Sequence, residues 1–510
     1  MPSDWTNGYV TEIDYTFGFY RELAPIHLAF ATNLRGLHAP DVNRPFTYFE
    51  LGCGQGMSTT VFAASYPHAQ FFANDFNPAH IQHARTMADA AGLTNLTFLE
   101  RSFADLARED LPDFDFITLH GIYSWIDADA RAHIQAFIRQ RLKPGGIVYI
   151  SYNTHPGCTP MVPIRRLMTE YAKGLSGPIT ERVRAAFAFA ARLKDLKPAY
   201  FEAAPAAIAR VEKAQQGDPR YLAHEYFNAA WEIFHFADLA ADMHAAKLGF
   251  VGSANIIEAF EPYVVGASRV AFLNEQSDPI VREMLKDLVV NQTFRKDIFV
   301  RGVSHLRPLQ RTAALHQTRI ALMVPAEKVS FKHTVTGGEL TMSEPSYRPI
   351  IEQLTTGAKT IGEIAAALRA ETGPANAELL ANITTLSAFN QVMPVPSVPA
   401  PAAAAALNAI LFERCQAGEP INALASPVWG AVHVMNQLDQ VLLRAAEGRG
   451  QAAPDEVLKL LQKYGFQYNI SGRVTTDGAE ILGSLENVAK QFNAERLGFL
   501  RLIGIATKPN

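Results

Sequence analysis

The sequence predicts an α/β protein built on a doubly wound, Rossmann-like parallel sheet. Three observations predict it: short apolar runs alternate with helical patterns from about residue 45 to 155, a glycine-rich turn follows the first run, and an acid follows the second. Strands that alternate with helices in this way form βαβ units, whose ligands bind at the carboxyl ends of the strands. We therefore expect a ligand site at that edge of the sheet.

The first predicted strand leads directly into the glycine-rich turn. Phe46, Tyr48 and Leu51 give it the apolar character of a buried parallel strand. Residues 52–56 then read Gly-Cys-Gly-Gln-Gly, and glycine lets the main chain bend sharply and approach a ligand closely. A helix predicted from residue 57 to 65 points its free N–H groups at that ligand.

An acid follows the second predicted strand. Residues 70–73 read Gln-Phe-Phe-Ala, which places Asp75 at the carboxyl end of that strand, where it can accept hydrogen bonds from both hydroxyls of a ribose. The turn has the pattern G-x-G-x-G, and Met57 stands where a dinucleotide-binding loop has its third glycine. We therefore expect a nucleoside ligand other than NAD.

The rest of the chain is predicted to add helices and a few strands. Apolar runs typical of strands return near residues 250 and 298, where they suit antiparallel strands that close the same sheet. Prolines at residues 394–401 indicate a linker or stiff loop. The predicted strands of the core are 46–51, 70–74, 96–100, 114–119 and 147–152. The predicted parts are an N-terminal helical lid at 1–40, a core at 41–155 and 222–304, a helical insertion at 156–221, a winged-helix-like domain at 305–398 and a mainly helical domain at 399–510.

Composition and charge narrow the classes of function. A net charge of −4 over 510 residues gives no general attraction to nucleic acid or to anionic membranes, so neither is a favoured partner. Cys53, Cys158 and Cys415 lie far apart and outside any C-x-x-C pair, which argues against a disulfide framework or a zinc site. The sequence shows no leader-like or membrane-spanning run, so we expect a cytoplasmic protein.

Three motifs in order resemble those of one enzyme family. They are the sequence ELGCGQG at residues 50–56, the acid Asp75, and the sequence LKPGG at residues 142–146 before the fifth predicted strand. This set resembles the class I S-adenosylmethionine-dependent methyltransferases. The resemblance implies S-adenosylmethionine as cofactor and S-adenosylhomocysteine as product. It also implies a reaction that depends on aligning donor and acceptor, without a metal or a covalent nucleophile.

The same resemblance assigns the cofactor contacts. Asp75 would hold the ribose, Phe103 would flank the adenine, and Ser102 or Asp105 would approach its exocyclic amine. Alternatively, Phe103 belongs to the core and Asp105 caps a helix. The N-terminal aromatic residues would cover the cofactor if that segment is a lid rather than a strap packed on the core. The predicted contacts are Tyr15, Tyr20, Glu50, Gly52, Cys53, Gly54, Gly56, Asp75, Phe76, Ser102, Phe103, Asp105 and His120.

The candidate catalytic residues follow the fourth and fifth strands or lie in the later core segment. They are His120, Tyr123 and Trp125 after the fourth strand, Asn153 after the fifth, and Glu225. We hypothesise that His120 or Tyr123 orients or deprotonates the acceptor, although a histidine at a strand end is as readily structural. A lysine acceptor would have to lose a proton, which costs about 4.6 kcal/mol from a pKa of about 10.4 at pH 7.

Four segments carry a narrower resemblance. Residues 120–125, 151–157, 224–226 and 293–297 are similar to bacterial methyltransferases with a methyltransferase regulatory domain, a group that includes rickettsial-type protein-lysine methyltransferases. Those relatives have an open central cavity and accessory domains that hold a protein substrate or form a homodimer. That pattern has a bulky aromatic residue where this sequence has Cys158, so the resemblance does not determine the identity of the methyl acceptor.

Three functions are therefore compared. The first is methyl transfer to a protein lysine amine. The second is methyl transfer to nitrogen or oxygen of a small molecule, which would use the same cofactor site with a closed pocket. The third is a non-catalytic regulator that senses S-adenosylmethionine and binds DNA through the winged-helix-like region; the scarcity of basic residues at 361–368 argues against it.

Overall fold

A seven-stranded sheet forms the centre of the protein. The structure, a computed structural model, describes residues 8–13, 17–336, 338–465, 468–470 and 473–507. The strands of this sheet are β1 Thr47–Leu51, β2 Gln70–Asp75, β3 Leu96–Glu100, β4 Phe114–Leu119, β5 Leu142–Asn153, β6 Leu248–Ser253 and β7 Phe294–Arg301. Their order is β3-β2-β1-β4-β5-β7-β6; β1 to β5 are parallel, and β7 runs antiparallel to both its neighbours. The predicted doubly wound sheet is confirmed.

Helices pack against both faces of this sheet. They include α1 Pro25–Leu34, α2 Met57–Ser65, α3 Pro78–Ala90 and α4 Ala128–Arg141. Along β1, Tyr48 and Phe49 belong to separate apolar clusters, because successive side chains of a strand point to opposite faces. Since β1 lies between β2 and β4, the strand order reverses there, which opens a crevice at the carboxyl ends of these strands.

The segment between β5 and β6 is largely helical. Its helices enclose an apolar cluster that includes Met168, Val183 and Phe187, and Val10 from the N-terminal segment joins it. The helices are α5 Val162–Lys173, α6 Ile179–Arg192, α7 Ala199–Ala203, α8 Pro205–Ala214 and α9 Pro219–Tyr226.

After the insertion the chain returns to the sheet. The helices of this segment are α10 Phe236–Ala245, α11 Ala267–Asn274 and α12 Pro279–Val290. Arg295 of β7 is buried, and its guanidinium lies 2.6 to 2.9 Å from carboxylate oxygens of Glu283, Asp287 and Asp297. A buried cation requires such partners, so this network ties α12 to the sheet.

A small antiparallel sheet follows the core. Its strands are β8 Arg319–Leu322, β11 Lys359–Thr360 and β12 Val392–Val395, and an adjoining hairpin consists of β9 Lys332–Val335 and β10 Gly338–Thr341. The helices of this part are α13 Pro308–Gln317, α14 Glu344–Leu354, α15 Ile361–Ala367 and α16 Gly373–Ala388. β8 lies between β11 and β12. The prediction of a linker at residues 394–401 is wrong in its first part, because Pro394 lies in β12. This strand is at the edge of its sheet, where a residue without an N–H group is tolerated. The winged-helix interpretation remains a prediction.

The last part of the chain packs on α2 and α3 of the core. Its elements are β13 Ala423–Ser426, β14 Ala431–Val434, β15 Tyr468–Ile470, β16 Arg473–Thr475, α17 Pro401–Gln416, α18 Gln437–Ala446, α19 Pro454–Lys463, α20 Gly478–Glu495 and α21 Leu497–Leu502. Val61 and Met87 of the core share one apolar cluster with Leu407 and Leu411 of α17. This cluster crosses a predicted domain border. The predicted borders themselves remain a prediction. Within the described ranges, every helix is too short or too polar to cross a lipid bilayer.

The N-terminal segment lies across the core and the insertion. Its helical structure, where the structure describes it, is confined to the short turn Arg21–Leu23 and to α1. Phe19 packs against the ring of Phe62 in α2, with a centroid distance of 5.6 Å. We call residues 8–13 and 17–23 the N-terminal strap, because these residues are extended or turned rather than α-helical.

Candidate active site

The glycine loop between β1 and α2 forms one wall of the crevice. Gly52, Gly54 and Gly56 have φ values of +68°, +54° and +73°, a region that favours glycine. A Cβ atom on Gly52 would collide with the side chain of Ile122, and one on Gly56 would lie 2.7 Å from atoms of Ala84 and Phe98. The loop therefore has a backbone conformation that favours glycine at all three positions, and the packing around Gly52 and Gly56 leaves no space for a side chain.

The carboxylate of Asp75 is fixed beside this loop. The Gly54 N–H donates to its Oδ2 at 3.0 Å, and the Asn77 N–H donates to its Oδ1 at 2.9 Å. The ring Nδ1 of His80 lies 3.3 Å from the same Oδ1. Each carboxylate oxygen can accept more than one hydrogen bond, so Asp75 is held in place and still able to accept from a ligand.

A cavity of about 320 Å³ opens beside the loop at the carboxyl ends of the strands. Its wall continues through the end of β2, the turn after β3 and the turn after β4. The predicted cofactor residues that line it are Tyr20, Glu50, Gly52, Cys53, Gly54, Gly56, Asp75, Phe76, Ser102, Phe103 and His120. The structure thus brings most of the predicted set to one place.

Two predicted cofactor residues are not among the lining residues that the structure describes. Tyr15 falls outside the residues that the structure describes. Asp105 does not line the cavity, and its carboxylate accepts a hydrogen bond of 2.6 Å from the hydroxyl of Ser102. Asp105 is the first residue of the short helical turn Asp105–Arg108, whose N-cap is Ala104 without a side-chain hydrogen bond, so the alternative that Asp105 caps a helix is wrong as well.

Glu50 is a buried acid near the end of β1, just before the glycine loop. Burial raises the pKa of its carboxyl to about 7, and the nearby negative charge of Asp75 adds to this. The hydroxyl of Thr59 in α2 donates to its Oε2, which partly offsets the effect of burial. Glu50 therefore links the end of β1 to the helix that follows the loop.

The N-terminal strap supplies the outer wall of the cavity. The ring of Tyr20 stacks on the imidazole of His120, with a centroid distance of 3.8 Å. The ring of Tyr9 meets that of Phe76 edge to face at 5.7 Å, and Tyr9 also lines the cavity. Tyr9 was missing from the predicted contacts, although the aromatic-rich N-terminal sequence was a signal that could have indicated it.

His120 is a neutral imidazole at physiological pH. Burial first, and the positive charge of Lys296 second, lower its pKa to about 3. Its Nδ1 lies 2.8 Å from the hydroxyl of Tyr149 and 3.3 Å from that of Ser151. A base this weak is poorly suited to take a proton at pH 7, so the lowered pKa argues against the hypothesis that His120 deprotonates the acceptor.

Trp125 joins the cavity to Glu225. Trp125 lines the cavity, and its indole N–H donates to the backbone carbonyl of Glu225 at 3.1 Å. Burial raises the pKa of the Glu225 carboxyl to about 7, although Arg210, whose guanidinium is 4.0 Å away, opposes this effect. The Glu225 side chain lies behind the cavity wall rather than in it.

The structure does not bring Tyr123 and Asn153 to the cavity. The Tyr123 hydroxyl donates to Asp242 at 2.8 Å and accepts from the amide of Gln135, so it is directed into the core. The backbone N–H of Asn153 donates to Ser124, and its side-chain nitrogen is buried without a partner among the described residues.

Several cavity residues had no distinct signal in the sequence. Ser58 lies in the first turn of α2, Arg101 follows β3, and Asp127 and Asp129 lie at the start of α4. The side chain of Asp127 caps α4 by accepting from the Ala130 N–H at 2.8 Å. Caps of this kind are common at helix ends, so their sequence pattern does not mark a ligand site.

Comparisons with known proteins agree with this geometry. Residues 49–146 match the family described as methyltransferase domain, and residues 218–301 match the predicted methyltransferase regulatory domain. An uncharacterised protein of Synechocystis sp. is 40% identical over 508 residues, which cover 98% of this chain and 100% of that protein. An uncharacterised protein of Rickettsia prowazekii is 28% identical over 293 residues, which cover 56% of this chain and 51% of that protein.

A solved structure shares the fold over nearly the whole length. PKMT2 from Rickettsia typhi in complex with AdoHcy superposes with a TM-score of 0.70 at 18% identity, over 96% of this chain and 99% of that chain. This similarity extends beyond the sheet to the insertion and the C-terminal parts. The chain is an enzyme that uses S-adenosylmethionine, and it belongs to the S-adenosylmethionine-dependent methyltransferases that carry a methyltransferase regulatory domain.

Proposed function

We propose that the enzyme transfers a methyl group to the side-chain amine of a protein lysine. The observation that carries this proposal is the composition of the cavity wall, which includes the stacked rings of Tyr20 and His120 and the indole of Trp125, with Glu225 behind Trp125. Bound S-adenosylmethionine would supply an electrophilic methyl group on a sulfonium. The contribution of the protein is to bind the donor, orient the acceptor and exclude water.

The cofactor fits the crevice by the chemistry of its walls. The Asp75 carboxylate suits ribose hydroxyls, and a Cβ atom on Gly54 would meet only open space at the cavity wall, which the cofactor could occupy. The aromatic ring of Phe103 offers a flat surface for the adenine. These contacts would leave the sulfonium end of the cofactor towards Tyr20 and His120.

A lysine amine suits this end of the cavity better than an anionic acceptor. Aromatic rings attract cations through their π faces, and the imidazole of His120 carries no charge that would repel an ammonium. Carboxylates of Asp127 and Asp129 lie at the cavity wall, where they favour the approach of a basic side chain.

Glu225 supplies the charge that a buried amine requires. Burial, followed by the charges of Asp75, Tyr20 and Glu225, raises the pKa of Tyr9, so the Glu225 carboxyl acts electrostatically on the cavity wall. From behind the wall, the Glu225 carboxylate would attract a basic side chain electrostatically. The pKa of the ammonium falls as it loses water on entry, so it would release its proton to water and leave the neutral amine that attacks the methyl group.

A protein acceptor is supported by the size and form of the molecule. The insertion and the C-terminal parts add large surfaces around the core, as in the rickettsial structure of the same fold. A small molecule would need only the cavity. We therefore propose that these surfaces hold the protein substrate while its lysine enters beside Tyr20.

Labelled methyl transfer tests the acceptor class. The full chain is incubated with S-adenosylmethionine carrying an isotope-labelled methyl group and, separately, with the protein and the metabolite fractions of the source cell. We expect label on lysine side chains, located by peptide mass spectrometry, and much less label with the Asp75→Ala variant at the same cofactor concentration. Label that enters only metabolites would contradict the lysine proposal and favour a small-molecule methyltransferase.

A further inference from the structure

The N-terminal strap is attached to the C-terminal region as well as to the core. The Arg21 guanidinium donates to the Met323 sulfur at 2.9 Å and to the Asn390 side-chain oxygen at 2.6 Å. The guanidinium of Arg414 in α17 lies 5.3 Å from the centre of the Phe17 ring. Residues more than three hundred positions apart in the sequence thus meet beside the cofactor site.

Phe17 contacts two neighbouring side chains. The guanidinium of Arg414 lies over its ring, and the ring of His83 in α3 is nearly parallel to it, at a centroid distance of 6.3 Å and an angle of 12°. Glu419 fixes Arg414, since its carboxylate accepts from the Arg414 Nε at 2.9 Å. Arg414 therefore presents a positioned cation to the strap rather than a mobile one.

The same group of residues reaches the cofactor loop. The terminal nitrogen of Arg414 lies 3.3 Å from the Nδ1 of His83, and that Nδ1 lies 2.9 Å from the side-chain oxygen of Gln55. The tautomer of His83 decides which of the two contacts is a hydrogen bond. Gln55 belongs to the glycine loop, is 6% exposed and lines the cavity.

The strap continues from Phe17 directly into the cavity wall. Gly18 and Tyr20 both line the cavity, and the Tyr20 N–H donates to the hydroxyl of Ser58, another lining residue, at 3.1 Å. Tyr20 also stacks on His120. A displacement of Phe17 would therefore move the residues that enclose the cofactor.

We propose that Arg414 is a positioning residue for cofactor binding. Through Phe17 it holds the strap, and it also lies against His83 beside the glycine loop, so that α17 packs against both walls of the site before the cofactor arrives. A site whose walls are already ordered loses less conformational entropy on binding, and its affinity is higher for that reason. The proposal depends on the use of S-adenosylmethionine and is independent of the acceptor.

The test measures binding of S-adenosylhomocysteine to the full chain by calorimetry. Arg414→Ala should weaken binding roughly threefold to tenfold, the range for loss of one cation–π contact. Phe17→Leu keeps the apolar bulk but removes the π face, so it should weaken binding to a similar extent. Because the two side chains form one contact, the double variant should bind no more weakly than the weaker single variant.

Arg444→Ala is the matched control. Arg444 lies in α18 with its guanidinium 5.8 Å from the ring of Phe412, pairs with Glu447, and does not line the cavity. It should lose a comparable contact without any change in S-adenosylhomocysteine affinity. If both Arg414→Ala and Arg444→Ala lower the melting temperature but only Arg414→Ala weakens binding, the loss of affinity is not a consequence of lower stability.

Hydrogen exchange gives a second readout, because coupling between two sites is reciprocal. S-adenosylhomocysteine should increase the protection of amides in α17, and this increase should disappear in Arg414→Ala. Unchanged affinity in folded Arg414→Ala, or fully additive losses in the double variant, would overturn the proposal. If Arg414→Ala does not fold, Phe17→Leu decides: weaker binding supports the role of the strap contact, and unchanged affinity overturns it.

Discussion

The backbone N–H of Gly54 donates a hydrogen bond of 3.0 Å to the carboxylate of Asp75. This bond joins the two motifs of the sequence that signal a nucleoside site, one on the loop after β1 and the other at the end of β2. Asp75 thus both shapes the loop and presents its remaining acceptor capacity to the cavity. The first two predictions follow from this relationship.

Replacement of Asp75 by alanine should weaken S-adenosylmethionine binding by tenfold to a hundredfold. A hydrogen bond to a charged group contributes about 1.5 to 3 kcal/mol, which corresponds to that range. Calorimetric titration measures the change. Asp89→Asn, on the exposed side of α3, is the control and should bind normally. Equal affinity of wild type and Asp75→Ala would contradict the assignment.

Gly52→Ala should abolish cofactor binding while the protein remains folded. Alanine is strained at a φ of +68°, and its Cβ would collide with Ile122 at the cavity wall. Binding is measured by titration and folding by circular dichroism. Gly483→Ala is the matched control, because Gly483 lies within α20 with open space around it, and this change should leave binding intact and raise stability slightly.

The pH dependence of stability should reveal Glu225. Its pKa is raised by burial to about 7, above the value of about 4.3 expected in the unfolded chain. The folded state then binds the extra proton, so the contribution of Glu225 to stability is present below pH 4.3 and is lost as the pH rises towards 7.

Urea unfolding of wild type and Glu225→Gln between pH 4.5 and 7.5 measures this contribution. The variant cannot lose the proton, so its stability relative to wild type should increase as the pH rises through this window. A difference between the two proteins that does not change with pH would show that Glu225 is ionised in the folded state throughout.

His120→Ala should lower turnover without changing the shape of the pH profile. With a pKa of about 3, His120 stays neutral across the working range, and its proposed role is to hold Tyr20 and the acceptor in place. We expect a loss of about tenfold, typical of disturbed alignment. Turnover is measured as a function of pH with one fixed acceptor. If the wild-type pH–rate profile rises near pH 6 to 7 and this rise is absent in the variant, His120 is the base instead.

Local patterns in the sequence predicted the sheet and the glycine loop. Alternating apolar runs indicate strands irrespective of what packs on them, and Gly52 and Asp75 occur at positions that the loop geometry itself demands. The edge strand containing Pro394 was missed because proline signals a break unless the partner strand is known. Its pairing with β8 depends on residues far away in the sequence.

The cavity was predicted well where it is formed by strand ends and poorly where side-chain direction matters. Tyr123 and Trp125 lie in the same short helical turn, yet only Trp125 reaches the cavity, because residues two apart in such a turn point in different directions. The contact of Phe17 with Arg414 could not be predicted either. Phe17 and Arg414 are far apart in the sequence, and only the folding of the core brings them together.

A crystal structure of the full chain with S-adenosylhomocysteine tests the central claim most directly. We predict ribose hydroxyl oxygens within about 2.5 to 3.0 Å of the Asp75 carboxylate, with the adenine against Phe103 and the sulfur directed towards Tyr20 and His120. A nucleoside bound outside the crevice, or one whose ribose makes no contact with Asp75, would contradict it.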